Sequence, residues 1–379
     1  MRSIILLANP DSNRAAFFKA AAADAGFTVQ IVSWLSLLRS DPDAWRALHE
    51  AGGSLVRLES PGRDAEVEKE LLRWGHDALA ADPGCACWSP EDIDRLLPDK
   101  GRIAPMHQWY AGWKQLLGIV RRAAPNARFS HDIDEVLAMF DKAATHRSLT
   151  SAGVPVAPSC GVIHHWDALM TAQRDTGWPR LFLKPLHGSS ASGIIALEFH
   201  LGEMQAFAPV ELGDATTTPP ALYNCRKVRR YRDPSVMRTI VDALGVSGLH
   251  VERWLPKMGL AGKRCDLRVV VIGGRARHVA ARLSRHPMTN LHLGGIRGDV
   301  EILRSTIGEE NWQHAVMVCE RAAAAFPRSV SVGVDLLLPP GGSDCRVLEV
   351  NAFGGLLPGL LHEGWDTYRW EVEEMMTSE

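Results

Sequence analysis

The first apolar run, residues 3–8, ends at Asn9 and Pro10, so it reads as a buried strand closed by a turn. A stretch with apolar residues at helical spacing follows and closes on Gly26, and residues 27–34 alternate as a second strand. A further strand and a charged helix occupy residues 47–75, and residues 107–123 again carry helical spacing. Alternating strand and helix predicts a parallel sheet with helical crossovers, whose ligands sit at the carboxyl ends of the strands, here near Asn9 and Pro10. Between Ala80 and Pro105 the chain turns to Pro, Gly, Cys and Asp, which predicts loop.

A second region opens near Ser130. Residues 131–153 have apolar positions at helical spacing and end at Gly153, after which Pro155 and Pro158 force extended chain. From there to about Val251 the pattern predicts a small α+β lobe. From His250 onward β-branched strands dominate, with one clear helix at residues 309–326, and we expect one antiparallel sheet with helices on one side.

Composition narrows the class. In 379 residues the hydrophobic fraction is 46% and the charged fraction 23%, as in a globular protein, and the formal charge of −2 argues against a nucleic-acid or anionic-membrane binder. No uncharged apolar stretch approaches the ~18 residues of a membrane span, and the apolar run at the start is too short for a signal peptide. Seven scattered cysteines suit a reducing, cytoplasmic setting. Cys85 and Cys87 form a CxC, but no second Cys/His pair at zinc-site spacing accompanies them, and we expect no metal there.

Chemistry concentrates in the second and third regions. Gly188 to Gly193, with Ser189, Ser190 and Ser192 between, can turn backbone N–H groups around an anion, or can be a plain hairpin. Ile194 stands where a Walker A lysine would be, and no GxGxxG occurs. Lys184 lies in the apolar strand just before this loop, where an ammonium needs an anion or a route to water. Glu349 and Asn351, two apart on a strand, share a face, and Asp335 is a lone carboxylate in another apolar strand. Such oxygen donors suit Mg²⁺; the alternative for Asp335 is a salt bridge to Arg268 or Arg282. Arg268, Arg282 and Asn290 could clamp a transferring phosphoryl group. The basic run 226–232 reads as a solvated face or a site for an acidic substrate, and His187 and His292 are weaker candidates.

Taken in order, Lys142, Lys184 with its Gly/Ser loop, the run HVERWLP, DLRVVV, RHPMTNLHLGG, VGVDLLL and VLEVN resemble the ATP-grasp family of the glutathione-synthetase and ribosomal-S6-modification type. More narrowly they resemble a bacterial ATP-grasp subfamily that says little about substrate. The resemblance covers roughly residues 130–370. It implies an α/β chain with an α+β C-terminal part: a Rossmann-like pre-ATP-grasp lobe over 1–130, a small ATP-grasp subdomain over 131–250, and a large one with the metal site over 251–379. Lys142, Lys184 and the loop Gly188, Ser189, Ser190, Ser192, Gly193 would then hold ATP phosphates. Glu252, Arg253, Trp254 and Leu255 would form the adenine hinge, largely through backbone. Asp335, Glu349 and Asn351 would hold Mg²⁺, or Mn²⁺ in its place, with Arg268, Arg282 and Asn290 facing the γ-phosphate and acyl group. A longer connection after the hinge leaves the ribose contact open between Lys257 and Lys263. The implied reaction is carboxylate–amine ligation through an acyl phosphate, on small-molecule or peptide partners. The alternatives are a kinase on the same fold and a non-catalytic ATP-binding regulator. The turn Ser60–Asp64, Tyr110 and the basic run are the places to look for substrate contacts, and a homodimer is left open.

Overall fold

A computed structural model describes residues 3–82, 84–97, 101–188, 191–213, 220–354 and 357–377. Three sheets organise them. The first consists of β1 (Ser3–Ala8), β2 (Thr28–Ser33), β3 (Leu55–Leu58) and β4 (Arg128–Phe129), all parallel in the order β2-β1-β3-β4. The alternation in β1 buries both faces. Ile4, Leu6 and Ala8 meet Phe18 of the helix Asn13–Asp24 and Tyr368, Val372 and Met375 of the C-terminal helix Thr367–Thr377. Ile5 and Leu7 join the opposite core with Trp34, Leu71 and Trp113. The helices Ala65–Leu79 and Met106–Ala123 cross there at glycines, Gly75 lying against Gln108 and Gly112 against Leu71.

The second sheet holds β5 (Ser159–Ile163), β6 (Arg180–Pro185), β7 (Ile195–His200), β8 (Glu203–Leu212), β9 (Leu222–Tyr231) and β10 (Leu249–Arg253), in the order β5-β10-β6-β7-β8-β9. Its pairings are antiparallel. The strand at residues 249–253, which the pattern grouped with the C-terminal strands, therefore lies inside this second sheet. Leu181, Leu183, Leu249 and Val251 face a core closed by the helices Trp166–Thr176 and Pro234–Gly245. By period-two alternation Phe182, Lys184, His250 and Glu252 take the other face.

The third sheet comprises β11 (Gly259–Leu260), β12 (Lys263–Ile272), β13 (Arg275–Ser284), β14 (Ile296–Gly298), β15 (Ser331–Leu337) and β16 (Arg346–Asn351). The order is β14-β13-β12-β15-β16, with β11 beside β12 and all pairs antiparallel. Leu267, Val269 and Val271 pack into a core with the helices Val300–Ile307 and Glu309–Ala324, which leaves Asp266 and Arg268 on the opposite face.

The helix expected over 131–153 is two helices, Ile133–Met139 and Lys142–Ser151. Asp141 breaks it: its carboxylate accepts from Ala144 N as the cap of the second helix. Lys142 thereby becomes the first residue of a helix, and its N–H donates to Leu186 O at 3.0 Å. No helix among the described residues is long and apolar enough to cross a membrane.

Candidate functional site

The polar faces of the second and third sheets look at each other across a cavity of about 360 Å³. Among the described residues seven cationic side chains line it against four carboxylates, so the cavity suits a polyanion.

One wall comes from β6 and β10. Lys184 is buried, and its ammonium donates to Glu252 Oε1 at 2.9 Å and to Leu348 O at 2.8 Å. A register shift in the β10–β5 pairing falls between Val251 and Glu252, where the strand turns toward Arg253, Trp254 and Leu255, all cavity-lining. The backbone here is anchored by Arg253 N–H on Pro158 O at 2.8 Å and Trp254 N–H on Arg180 O at 3.1 Å. His250, opposite Lys184 in register, is pushed down to about 3 by burial and then by the Lys184 charge, so its ring is neutral beside Glu252.

After β6, residues 191–194 return to this wall. Gly193 has φ +68°, and a Cβ there would press within 2.8 Å of Pro185 Cγ, so only glycine fits. Ala191 and Ile194 line the cavity; Ser192 instead accepts from Asn224 Nδ2 at 2.7 Å. Ser189 and Ser190 lie outside the described residues. Lys142 reaches the loop from the helix start, donating to Gly188 O and pairing with Glu349 Oε1 at 3.2 Å.

The facing wall is a chain of ion pairs. Arg268 clamps both oxygens of Asp335 and donates to Gly354 O at 2.9 Å. Arg282 bridges Asp335 Oδ1 (3.1 Å) and Asp266 Oδ1 (2.8 Å). Lys257 closes the chain, donating to Asp266 Oδ2 at 2.7 Å and to Thr289 Oγ1 at 3.0 Å. Burial alone would raise both carboxyls, but Arg282 and Lys257 hold Asp266 down at about 2, and Arg268 and Arg282 lower Asp335. Burial lowers the Lys257 ammonium, with Asp266 opposing it.

Asp335 and Glu349 are register partners on β15 and β16, and a bulge follows between Asp335 and Leu336. Asn351 lies two pairs further, opposite Gly333, its Nδ2 donating to Gly333 O at 3.3 Å. The salt bridge posed as the alternative for Asp335 is formed. Among the described residues Asp335 Oδ2 accepts from Arg268 Nη2 alone, which leaves it a lone pair, and Glu349 is partly exposed to the cavity. Two carboxylates and an amide oxygen at adjacent positions are a hard-oxygen set that fits Mg²⁺.

Comparison with known proteins identifies the architecture. No family model matches the chain, and no curated protein sequence matches it. Among solved structures, D-cycloserine synthetase DcsG superposes with a TM-score of 0.56 at 15% identity, covering 99% of both chains. The D-alanine–D-alanine ligase of Bacillus anthracis, complexed with ATP, gives 0.53 at 12% identity, over 100% of this chain and 96% of that one. Macrocyclase MdnC from Microcystis aeruginosa, bound with precursor peptide MdnA, gives 0.55 at 10% identity, covering all of both chains. The chain has the ATP-grasp fold.

Within this ATP-grasp fold most of the expected site residues meet. Lys184, Glu252, Arg253, Trp254, Leu255, Arg268, Arg282, Asn290, Asp335, Glu349 and Asn351 line the one cavity. Lys142, Gly188, Ser192 and Gly193 do not line it; Lys142 joins it through Glu349. The basic run lies on β9, the outermost strand, where Arg229 pairs with Glu211 and Arg230 with Gln205, away from the cavity. Tyr110 stacks on His187 at 3.9 Å and also stays outside it, whereas His292 lines it.

Sequence reasoning missed Asp266, Thr289 and Arg14, and reached Arg63 only as part of the turn Ser60–Asp64. Asp266 was within reach, since it precedes Arg268 by two and must share its face. Arg14 carried no signal, because it arrives from the helix after β1 in the first lobe. Arg14 donates to Glu59 Oε1 and to Phe353 O, each at 2.6 Å. Arg63 sits at φ +69° on the turn after β3. Asn9, at the carboxyl end of β1, holds that turn by donating to Pro61 O (2.9 Å) and Gly62 O (3.2 Å).

Proposed function

We propose that the protein is a Mg²⁺- and ATP-dependent ligase that joins a carboxylate to an amine through an acyl phosphate. The observation that carries this reading is the cavity between two sheets, with Lys184, Ala191 and Ile194 on one wall and Asp335, Glu349 and Asn351 facing them. The solved structures of the same fold bear ligase, synthetase and macrocyclase names, one with ATP and one with a peptide bound, which supports the same class here.

In this reading Lys142 and Lys184 hold phosphates, and the Arg253–Leu255 backbone and Trp254 hold the adenine end. Asp335, Glu349 and Asn351 would ligate Mg²⁺, which when bound offsets charge on the β- and γ-phosphates. Arg268 and Arg282, already fixed by Asp335 and Asp266, need no reorganisation to meet the transferring phosphoryl group. A substrate carboxylate oxygen attacks the γ-phosphorus and ADP leaves; an amine then attacks the acyl carbon and phosphate leaves. Arg14 and Arg63 enter from the other side of the cavity and are suited to an anionic end of the carboxylate substrate.

The test is ADP release from purified protein with Mg²⁺ over pools of carboxylates and amines, together with calorimetric ATP binding. We expect ADP only when both substrates are present, and loss of Mg²⁺-dependent ATP binding in the Glu349→Ala, Asn351→Ala double variant. ATP binding that survives the double variant would remove the metal assignment, and ADP or a stable phosphorylated product formed without amine would replace the ligase with a kinase.

A further inference from the structure

We propose that Cys85, Cys87 and His107 hold a thiophilic divalent cation, with Zn²⁺ the ion their geometry matches. The CxC alone lacked the partner that zinc spacing requires, and the fold supplies it from the start of the helix Met106–Ala123. Cys85 Sγ lies 3.7 Å from Cys87 Sγ, and Cys87 Sγ lies 3.9 Å from His107 Nε2. All three ligand atoms fall within 4.8 Å of one another, and no other His, Cys, Asp or Glu among the described residues joins them. A tetrahedral ion with Zn–S of about 2.3 Å and Zn–N of about 2.0 Å has S···S and S···N edges of roughly 3.8 and 3.6 Å. The side chains thus already stand near the corners of such a site, with a fourth position for water.

Two contacts arrange the ligands. His107 Nδ1 is 2.8 Å from Ser247 Oγ, so Nε2 is the nitrogen turned to the sulfurs. Gln108, the next residue, clasps Trp88 through its N–H (2.8 Å) and carbonyl (3.1 Å), which fixes Cys87 opposite His107. None of the three ligands lines the nucleotide cavity. Through Ser247 the site is tied to the turn that meets the end of β6. One turn along the same helix Tyr110 stacks on His187, and Gly248, beside Ser247, accepts from Leu186 N–H at 3.0 Å.

The experiment is titration of reduced, chelator-stripped full-length protein with Co²⁺, read by absorption, followed by Zn²⁺. We expect one equivalent of Co²⁺ with tetrahedral visible bands and a thiolate-to-cobalt charge-transfer band, both bleached by Zn²⁺. Cys85→Ser with Cys87→Ser should abolish the charge-transfer band in protein still folded by circular dichroism, and Glu349→Ala should leave it intact. Ser247→Ala, a positioning change, should weaken Co²⁺ affinity roughly 10- to 100-fold without removing the band. Absence of the band in folded wild type, its survival in the double cysteine variant, or its loss in Glu349→Ala would each overturn the proposal.

Discussion

Asp266→Asn tests whether the ion-pair chain on β12 and β13 is real. The side chain is 1% exposed and serves Arg282, Lys257 and Thr289 at once. Its carboxyl is held at about 2, below the ~3.9 of an unperturbed Asp, so something on the order of 2–3 kcal/mol favours the ionised form in the folded state. Asparagine keeps the shape and removes the charge, leaving Lys257, itself 9% exposed in its side chain, without a counter-ion. Loss of one partner of a buried pair costs about 3–5 kcal/mol, and the figure from the pK shift lies at or just below the foot of that range. Arg282 keeps Asp335 at 3.1 Å, which limits the damage on its side. In thermal unfolding we expect a midpoint lower by on the order of 5–10 °C. Adding Lys257→Met should return part of that loss, because the stranded charge is removed. The sign in pH also follows: a depressed carboxyl stabilises above its unfolded value, and this contribution disappears as pH falls from about 4 through about 2. A single variant that loses less than about 1 kcal/mol at neutral pH, or a double variant no better than the single, would refute the chain as described.

Other outcomes can be checked alongside. Arg63→Ala should raise KM for the carboxylate substrate about 10-fold, the low end for a charged hydrogen bond at a solvent-open position, with KM for ATP unchanged; an equal rise in both would remove its substrate role. Gly112→Ala should destabilise, although helix propensity alone favours alanine by about 1 kcal/mol, because its Cβ would overlap the Leu71 carbonyl and overpacking costs about 1–3 kcal/mol. A raised denaturation midpoint would mean the two helices cross elsewhere. His131 and His187 are held at about 4 and His250 at about 3, all chiefly by burial. Their folded values lie below the unfolded value of about 6.5, so the unfolded chain gains protons first and stability falls as pH drops below it. Between pH 7 and 5.5 this removes roughly 1 kcal/mol per histidine, and a urea midpoint that holds over that window would contradict their burial.

Period and polarity made much of the architecture legible. Alternation in β12 placed Arg268 opposite Leu267 and Val269, and i, i+2 spacing put Glu349 and Asn351 on one face, because a strand has only two sides. The same rule, applied to Asp266, would have added the centre of the ion-pair chain. Asp141 shows the limit of periodicity: helical spacing ran straight through it, but its side chain caps the backbone more favourably than it continues the helix.

Apolar periodicity, the Gly/Ser loop and the isolated charges in apolar strands are local properties, and the sequence by itself determined them. Which lobe a strand joins, and which distant side chains meet, is decided by tertiary packing. Residues 249–253 pair between β5 and β6. The C-terminal helix returns to cover β1, with Arg57 and Glu371 paired across 314 positions. Arg14 and Arg63 reach the cavity from the first lobe, and His107 meets a CxC twenty residues before it. Contacts of that kind leave no period in the chain: the free energy that selects them is burial of the sheet faces and pairing of the charges left between, and both exist only once the lobes have come together.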